Sequence, residues 1–166
     1  NNSNFKKKIF LKEFKNQRIV DSTLFKHKSL WYIFFGKKFE ANNILHLWIS
    51  DDPFKKFKSH PKSPIIISPK SARMAGNIIY YKKNIFRFAQ NNEDEYGKSL
   101  SVIKIKKITP KEYEEENVGS VRIDKYNGPH TINFNQKSNK IILDFYKNKF
   151  SIFAGLRRIK KKINRY

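Results

Sequence analysis

Three hairpin-like segments recur at a fixed interval, and this repeat narrows the possible folds more than any other feature. Leu24, Ile78 and Ile132 hold the same place in successive copies, 54 and 54 residues apart. In the first copy Asp21–Phe25 begins a strand, Lys26–Ser29 turns and Leu30–Phe35 returns. Beyond Gly36 and a polar loop through Asn42 and Asn43, Ile44–Ser50 reads as a third strand. Asp51, Asp52 and Pro53 end it, as turn chemistry does. From Lys55 to Ile67 two prolines, Pro61 and Pro64, leave room only for a short edge strand. The second copy runs through Gly76–Tyr81, a turn at Lys82–Asn84, Ile85–Ala89, a loop at Asn91–Glu95 and Ser99–Ile108. In that last strand Leu100 and Val102 alternate, while Ile103 and Ile105 shift phase. Thr109–Glu112 reads as the start of a helical turn, with Pro110 at the first helical position. The third copy starts at His130–Phe134, turns at Lys137–Asn139 and returns through Ile141–Phe145. Ahead of all three, Phe5–Arg18 is expected to be an outer strand, because Ile9 and Leu11 alternate.

Four short strands per unit at a period near the usual ~40–50 residues is the pattern of propeller blades. The chain holds two full units, half a unit at the end and one outer strand at the start. Propellers close with about 4–8 blades. The ring is therefore expected to be incomplete in this chain, to close with a partner chain, or to continue in missing blades upstream. An evenly spaced meander or sandwich is the competing topology. The expected fold class is all-β, with antiparallel four-stranded blades over residues 1–149. Residues 150–166 form a distinct tail, in which Phe150, Ile152, Phe153, Leu156, Ile159 and Ile163 recur three or four apart with cations between. That spacing predicts a short basic amphipathic helix. Such a helix either lies on an anionic membrane surface or docks on the domain with its basic face solvated.

Composition limits the chemistry. With no cysteine there is no disulfide framework, thiolate metal site or cysteine nucleophile, and a reducing compartment fits. His27, His46 and His60 lack the mutual spacing and neighbouring carboxylates of a metal site, so no metal or cofactor is expected. The net charge of +22 suggests nucleic acid or an anionic membrane as partner. Its lysines are scattered singly and in pairs at strand ends and turns, however, as in the residue usage of an AT-rich genome. No RRM sequence, basic zipper or zinc finger accompanies them, and a nucleic-acid partner is disfavoured. No apolar run approaches the ~20 residues of a transmembrane helix. The chain begins at Asn1 without methionine, so an upstream segment is expected. The expected location is cytoplasmic, peripheral at the inner face of a membrane.

Polar residues accumulate where one strand begins. Ser71–Ile79 places Arg73 just before a glycine that opens an apolar strand, Phe88–Gln90 ends the next strand in an amide, and Tyr96 and Gly97 follow a short polar loop. Asp21–Phe25 followed by Trp31 and Tyr32 is similar to the start of a blade in five-bladed propellers of the glycoside hydrolases that cleave arabinan, xylan and fructan. A longer set takes in Asp51–Pro53, Ser59–Pro61, Pro64, Ile65, Ser71–Gly76, Ala89, Gln90, Tyr96, Gly97, Thr109, Pro110, Tyr113–Glu115 and His130–Asn133. It resembles the propeller domain N-terminal to the glycosyltransferase in plant glucosamine inositolphosphorylceramide transferases. Similar domains occur in bacterial proteins of surface-polysaccharide synthesis. The resemblance runs from about Arg18 to Phe145, and Ser71–Gly76 and His130–Asn133 are its most specific parts. It implies a five-bladed propeller in a carbohydrate setting but no reaction, since catalysis in the plant proteins is assigned to the separate transferase domain.

The candidate residues follow from this frame. Glycosidases need two carboxyl groups flanking one bond. Asp21 is the candidate catalytic carboxylate, at the position where the hydrolase propellers tune the acid's pKa and bind sugar hydroxyls. The equivalent positions of the other copies offer Arg73 and His130, and Glu93, Asp94 and Glu95 read as solvated loop acids, so the pair is incomplete. The Arg73 fork suits a phosphate or carboxylate, unless it instead bridges neighbouring units through backbone carbonyls. Tyr96 as a stacking or hydroxyl partner, Gln90 as a two-way hydrogen bonder and His130 as a base or a structural residue complete the set. The first reading is a carbohydrate-associated module that binds a sugar, sugar-phosphate or glycan. The second is a glycosidase or glycosyl-transferring enzyme in which Asp21 works with an acid from the missing blades.

Overall fold

The computed structural model describes residues 9–145 except Lys125, Asn127, Gln136 and Lys137. The tail at 150–166 and the first residues of the expected outer strand lie outside this range. Antiparallel strands dominate. The first sheet contains β1 (Ile19–His27), β2 (Leu30–Lys37), β3 (Ile44–Ser50), β4 (Lys58–Ser59) and β5 (Ile66–Ile67). The second contains β6 (Arg73–Met74), β7 (Ile79–Tyr81), β8 (Asn84–Asn91), β9 (Ser99–Ile108) and β10 (Tyr113–Val121). A third, two-stranded sheet pairs β11 (Ile132–Asn135) with β12 (Lys140–Leu143).

In each large sheet five strands fill four ranks. The first runs β1-β2-β3, and β4 and β5 share the outer rank by pairing with opposite halves of β3. The second runs β10-β9-β8, with β6 and β7 sharing the rank beyond β8. The prolines that interrupt the chain before β5 are the reason that rank is split, because proline cannot donate to a ladder.

The 54-residue period survives as geometry. His27 faces Leu30 and Tyr81 faces Asn84, so both two-residue turns fall at equivalent positions. Lys28, Lys82 and Lys83 adopt positive φ there (54°, 44° and 65°), as tight hairpin turns demand. In the first two copies the core residue is displaced by one from the residue that marks the period, whereas in the third Ile132 itself is buried. Leu24 is 47% exposed, whereas Phe25 and its counterpart Ile79 are buried.

Strand alternation explains the layering. From β2, Tyr32 and Phe34 enter the core shared with the second sheet, together with Leu45, Leu47, Met74 and Ile105. Ile33 and Phe35 point the other way and are covered by Leu11, Phe14 and Phe57. From β9, Ile105 faces the first sheet, while Leu100 and Val102 face the third. The phase shift expected from the sequence is thus a strand buried on both faces. Each fully buried large side chain contributes about 1.5–3 kcal/mol.

Two local expectations are corrected. The Phe5–Arg18 segment forms no strand over its described part but a 3-10 turn at Lys12–Phe14, closed by Phe14 N–H to Leu11 O at 3.1 Å. Three-residue spacing brings Leu11 and Phe14 to one side, where both pack on the first sheet. Thr109–Glu112 is a hairpin loop rather than a helical start. Ile108 already pairs with Tyr113, and Thr109 Oγ1 accepts the Glu112 N–H at 3.0 Å.

A buried charged pair joins β8 to β10 across β9 within the second sheet. Arg87 is fully buried and donates from Nε and Nη2 to the two oxygens of Glu115, at 2.7 and 2.6 Å. The Tyr113 hydroxyl donates to the same carboxylate. Burial pushes the Tyr113 phenol well above its ordinary range, so it stays a neutral donor.

The third sheet is fastened to the second by backbone. Gly76 (φ +119°) forms a parallel bridge with Ile132, and Ile132 N–H donates to Ala75 O at 2.9 Å. The Asn77 side chain then behaves like a strand residue. Its Nδ2 donates to Phe134 O at 3.0 Å and its Oδ1 accepts the Phe134 N–H at 2.9 Å. Ser71–Gly76 and His130–Asn133, the most specific parts of the resemblance, are thus two halves of one contact.

Candidate functional site

The starts of the three sheets converge. At the first, the β1–β2 ladder slips between Val20 and Thr23, a bulge that holds Asp21 at φ +52°. Bulges re-aim side chains, and aspartate tolerates the left-handed region better than most residues. At the second, Arg73 begins β6 opposite Gln90. At the third, Thr131 closes the entry to β11 by donating from N and Oγ1 to Asp144 Oδ1, at 2.6 and 2.9 Å.

All five residues expected at a site take part in one chain of contacts. Arg73 Nε donates to Asp21 Oδ2 at 2.7 Å and Arg73 Nη1 to Asn42 Oδ1 at 2.9 Å. The guanidinium lies over the Tyr96 ring, 5.3 Å from its centroid, and Tyr96 meets the His130 ring at 5.3 Å. Gln90 Nε2 donates to His130 O at 3.1 Å. Gly97 makes this contact possible, since a Cβ there would stand 2.3 Å from His130 Cδ2. Arg73 therefore does bridge two sheets, but through the Asp21 and Asn42 side chains rather than through backbone carbonyls.

Beside this chain lies a cleft of about 330 Å³, lined by Asp21, Ser22, Thr23, Asn77, Thr131 and Asn133 together with Gly76 and the apolar Leu24 and Met74. Of the five expected residues only Asp21 lines it. Arg73, Gln90, Tyr96 and His130 stand behind as support. The Ser22 hydroxyl, the Asn133 amide nitrogen and the Asp21 carboxylate are its polar groups for a ligand, while the Asn77 amide and the Thr23 and Thr131 hydroxyl protons are already bonded within the protein.

Sequence reasoning missed Asn42, Asn77, Asn133 and Asp144. Asn77 lies inside the Ser71–Ile79 stretch singled out from the sequence but was not read as a site residue. Asn42 sits in an ordinary polar loop and carried none. Asp144 stands 3.7 Å from His130 Nδ1. Burial would push its carboxyl up, but hydrogen bonds from the Thr131 amide and hydroxyl, with the His130 charge, outweigh that and hold it below its ordinary 3.8. A group depressed in this way keeps its bonds as pH falls past the unfolded value and loses them only below it. The Thr131 amide resonance is therefore expected to titrate with a midpoint below 3.8, and to lose that titration in Asp144→Asn.

The remaining histidines are structural. His60 is buried, donates from Nε2 to Thr109 O at 2.9 Å and accepts the Lys62 N–H at Nδ1. His27 joins Tyr80 at 2.8 Å and His46 joins Glu40 at 2.7 Å. Among the described residues no group of three potential ligands could hold a metal, and no helix is long and apolar enough to cross a membrane.

Residues 4–145 match the family described as glucosamine inositolphosphorylceramide transferase 1, N-terminal. Curated relatives agree. The glucosamine inositolphosphorylceramide transferase 1 of Arabidopsis thaliana is 32% identical over 108 residues, covering 60% of this chain. That of Oryza sativa subsp. japonica is 31% identical over 103 residues, covering 58%. The matched part is only 14% of each relative's length. No solved structure matches the chain. With most of its length matched, from the 3-10 turn through the third sheet, the chain belongs to the family of glucosamine inositolphosphorylceramide transferase N-terminal domains.

Proposed function

We propose that this chain is the sugar-binding part of a glycolipid- or surface-polysaccharide-assembling protein, its sheets being blades of a five-bladed propeller. The observation that carries the reading is the convergence of three sheet entries on one polar cleft. In a propeller such entries surround the central axis, where ligands bind. A volume of about 330 Å³ admits little more than one sugar ring. Ser22 offers a hydroxyl and Asn133 an amide nitrogen to sugar hydroxyls, and the Thr23 hydroxyl, which donates to Gly76 O, can still accept. Asp21 adds a charge-assisted acceptor whose Oδ2 is oriented by Arg73. With Arg73 committed to Asp21 and Asn42, the cleft suits a neutral or amino sugar better than a sugar-phosphate.

Binding rather than hydrolysis is favoured because two carboxyl groups must flank a scissile bond, and Asp21 is the only acid lining the cleft among the described residues. The names of the relatives place the family in glycolipid synthesis, which agrees with a module that presents or recognises a glycan for a separate transferase. Further blades or a partner chain would complete the ring. The basic tail at 150–166, read from its sequence pattern, would hold the module at an anionic membrane surface.

The test is saturation-transfer NMR of the full chain against a panel of hexoses, amino sugars and their glycosides. Ser22→Trp should fill the cleft and abolish binding. Asp21→Ala and Arg73→Ala should each weaken it about tenfold or more, the second by releasing Asp21. Arg73→Ala should change stability by only ~0.2–1 kcal/mol, as partly exposed ion pairs do. Undiminished binding by Ser22→Trp would remove the assignment. Glycan hydrolysis that disappears in Asp21→Asn would replace it with the enzymatic reading.

A further inference from the structure

We propose that a second cavity, at the far end of the first hairpin, binds the phosphate group of a phosphorylated sugar or lipid headgroup. It encloses about 730 Å³ and is lined by Arg18, Lys37, Lys38, Phe39, Glu40, His46 and Trp48 among others.

Strand register brings the cations together. Ile19 pairs with Lys37, and Lys38 N–H donates to Arg18 O at 2.8 Å, so the entry to β1 and the exit from β2 deliver Arg18, Lys37 and Lys38 to one place. Glu40, the only lining acid among the described residues, is already occupied. It accepts from His46 Nε2 at 2.7 Å and lies 3.7 Å from Lys37 Nζ. The His46 hydrogen bond, ahead of the Lys37 charge, holds it below its ordinary carboxylate range, so it stays an anion that anchors His46 and Lys37.

Among the described residues Arg18 and Lys38 then have no acidic partner, and Lys38 rests 5.5 Å from the Phe39 ring. Three cations against one carboxylate leave two positive charges, with His46 counted as neutral. A phosphate monoester carries about 1.5–2 negative charges near neutrality, and an arginine fork is the side chain best shaped to receive it.

The cavity differs from an ordinary lysine-rich surface in its apolar walls. Trp48 forms one wall, and Phe39 stands 90% exposed at the rim. An aromatic left in water beside cations is suited to the C–H face of a sugar or the glycerol of a headgroup. The Lys82 and Lys83 turn has equal charge but lines none of the clefts described here, which makes it the natural control. This site is separate from the cleft at Asp21, and either can fail without the other.

The experiment uses the full chain with Trp31→Phe, leaving Trp48 as the only indole, and follows its fluorescence. The probes are inorganic phosphate, glucose 6-phosphate, glucose and vesicles of phosphatidylcholine with or without phosphatidate, all at fixed ionic strength. Phosphate and glucose 6-phosphate are expected to saturate the signal, with glucose silent. Arg18→Ala/Lys38→Ala should weaken them tenfold or more, and Lys82→Ala/Lys83→Ala less than twofold. Preference for the soluble ester assigns a phosphosugar. Preference for phosphatidate vesicles, with the same dependence on Arg18 and Lys38, assigns a lipid headgroup. Equal losses in both double variants, or no saturable response to any phosphate probe, overturns the proposal.

Discussion

Alanine at position 76 should destabilise the protein by roughly 4 kcal/mol. Its backbone angle of +119° is one that side-chain-bearing residues rarely adopt, and forcing it costs about 1–3 kcal/mol. The added Cβ would also stand 1.9 Å from Ile132 O, a backbone atom with no rotamer to yield. Overpacking of that kind typically costs a further ~1–3 kcal/mol. The third sheet would have to move away, losing the Ile132–Ala75 hydrogen bond and both Asn77–Phe134 bonds together. Urea denaturation should show the loss. Amide exchange should show where it falls, with Ile132 and Phe134 deprotected and Phe34 and Leu47 in the first sheet unchanged. A cost below about 1 kcal/mol would mean that the two backbones do not approach as described.

The second large effect is at the buried charge pair. Glu115→Ala leaves the guanidinium of Arg87, fully buried, without its carboxylate, and should cost about 3–5 kcal/mol. The pair itself need not be worth that much, because desolvating two charges offsets most of their attraction. Arg87→Met combined with Glu115→Leu should therefore recover most of the loss. A double-mutant cycle by thermal unfolding separates the two statements. If the double variant proves as unstable as Glu115→Ala alone, the pair contributes net stability that an apolar replacement cannot supply.

Much of the architecture was legible because hairpins write themselves locally. Apolar runs on either side of Lys26–Ser29 and Lys82–Asn84 marked turns that the structure narrows to Lys28–Ser29 and Lys82–Lys83, 54 residues apart. What single-strand alternation cannot reveal is how many faces are buried. Ile103 and Ile105 looked like a slipped phase only because Leu100 and Val102 were assumed to face the sole core. The Phe5–Arg18 segment misled for a related reason. Ile9 and Leu11 alternate, but the residues that pack are Leu11 and Phe14, and no partner strand was there to favour extension.

Asp21, Arg73, Gln90, Tyr96 and His130 meet in one chain of contacts because the β1 bulge, the start of β6, the end of β8, the β8–β9 loop and the approach to β11 lie side by side. Their roles were less legible. Nothing in the sequence says that Arg73 reaches Asn42 or that Asp21 alone faces the cleft, since both depend on a bulge and a loop meeting across a sheet boundary. Asn77 was missed for a deeper reason. Its importance lies in imitating backbone, and composition gives no sign of that.

This imitation bears on how the protein would evolve and break. A side-chain amide that stands in for a strand residue adds, to the backbone bridge and packed core between the second and third sheets, two hydrogen bonds held by one residue. Contacts made of packed methyl groups can erode by small steps, each tolerated, as volume is traded between neighbours. The Asn77 seam has no such intermediates, because aspartate removes the donor, serine is too short to span the gap, and glutamine overshoots it. The core packed between the second and third sheets is free to drift, while the two bonds that Asn77 adds to that joint are either made or open.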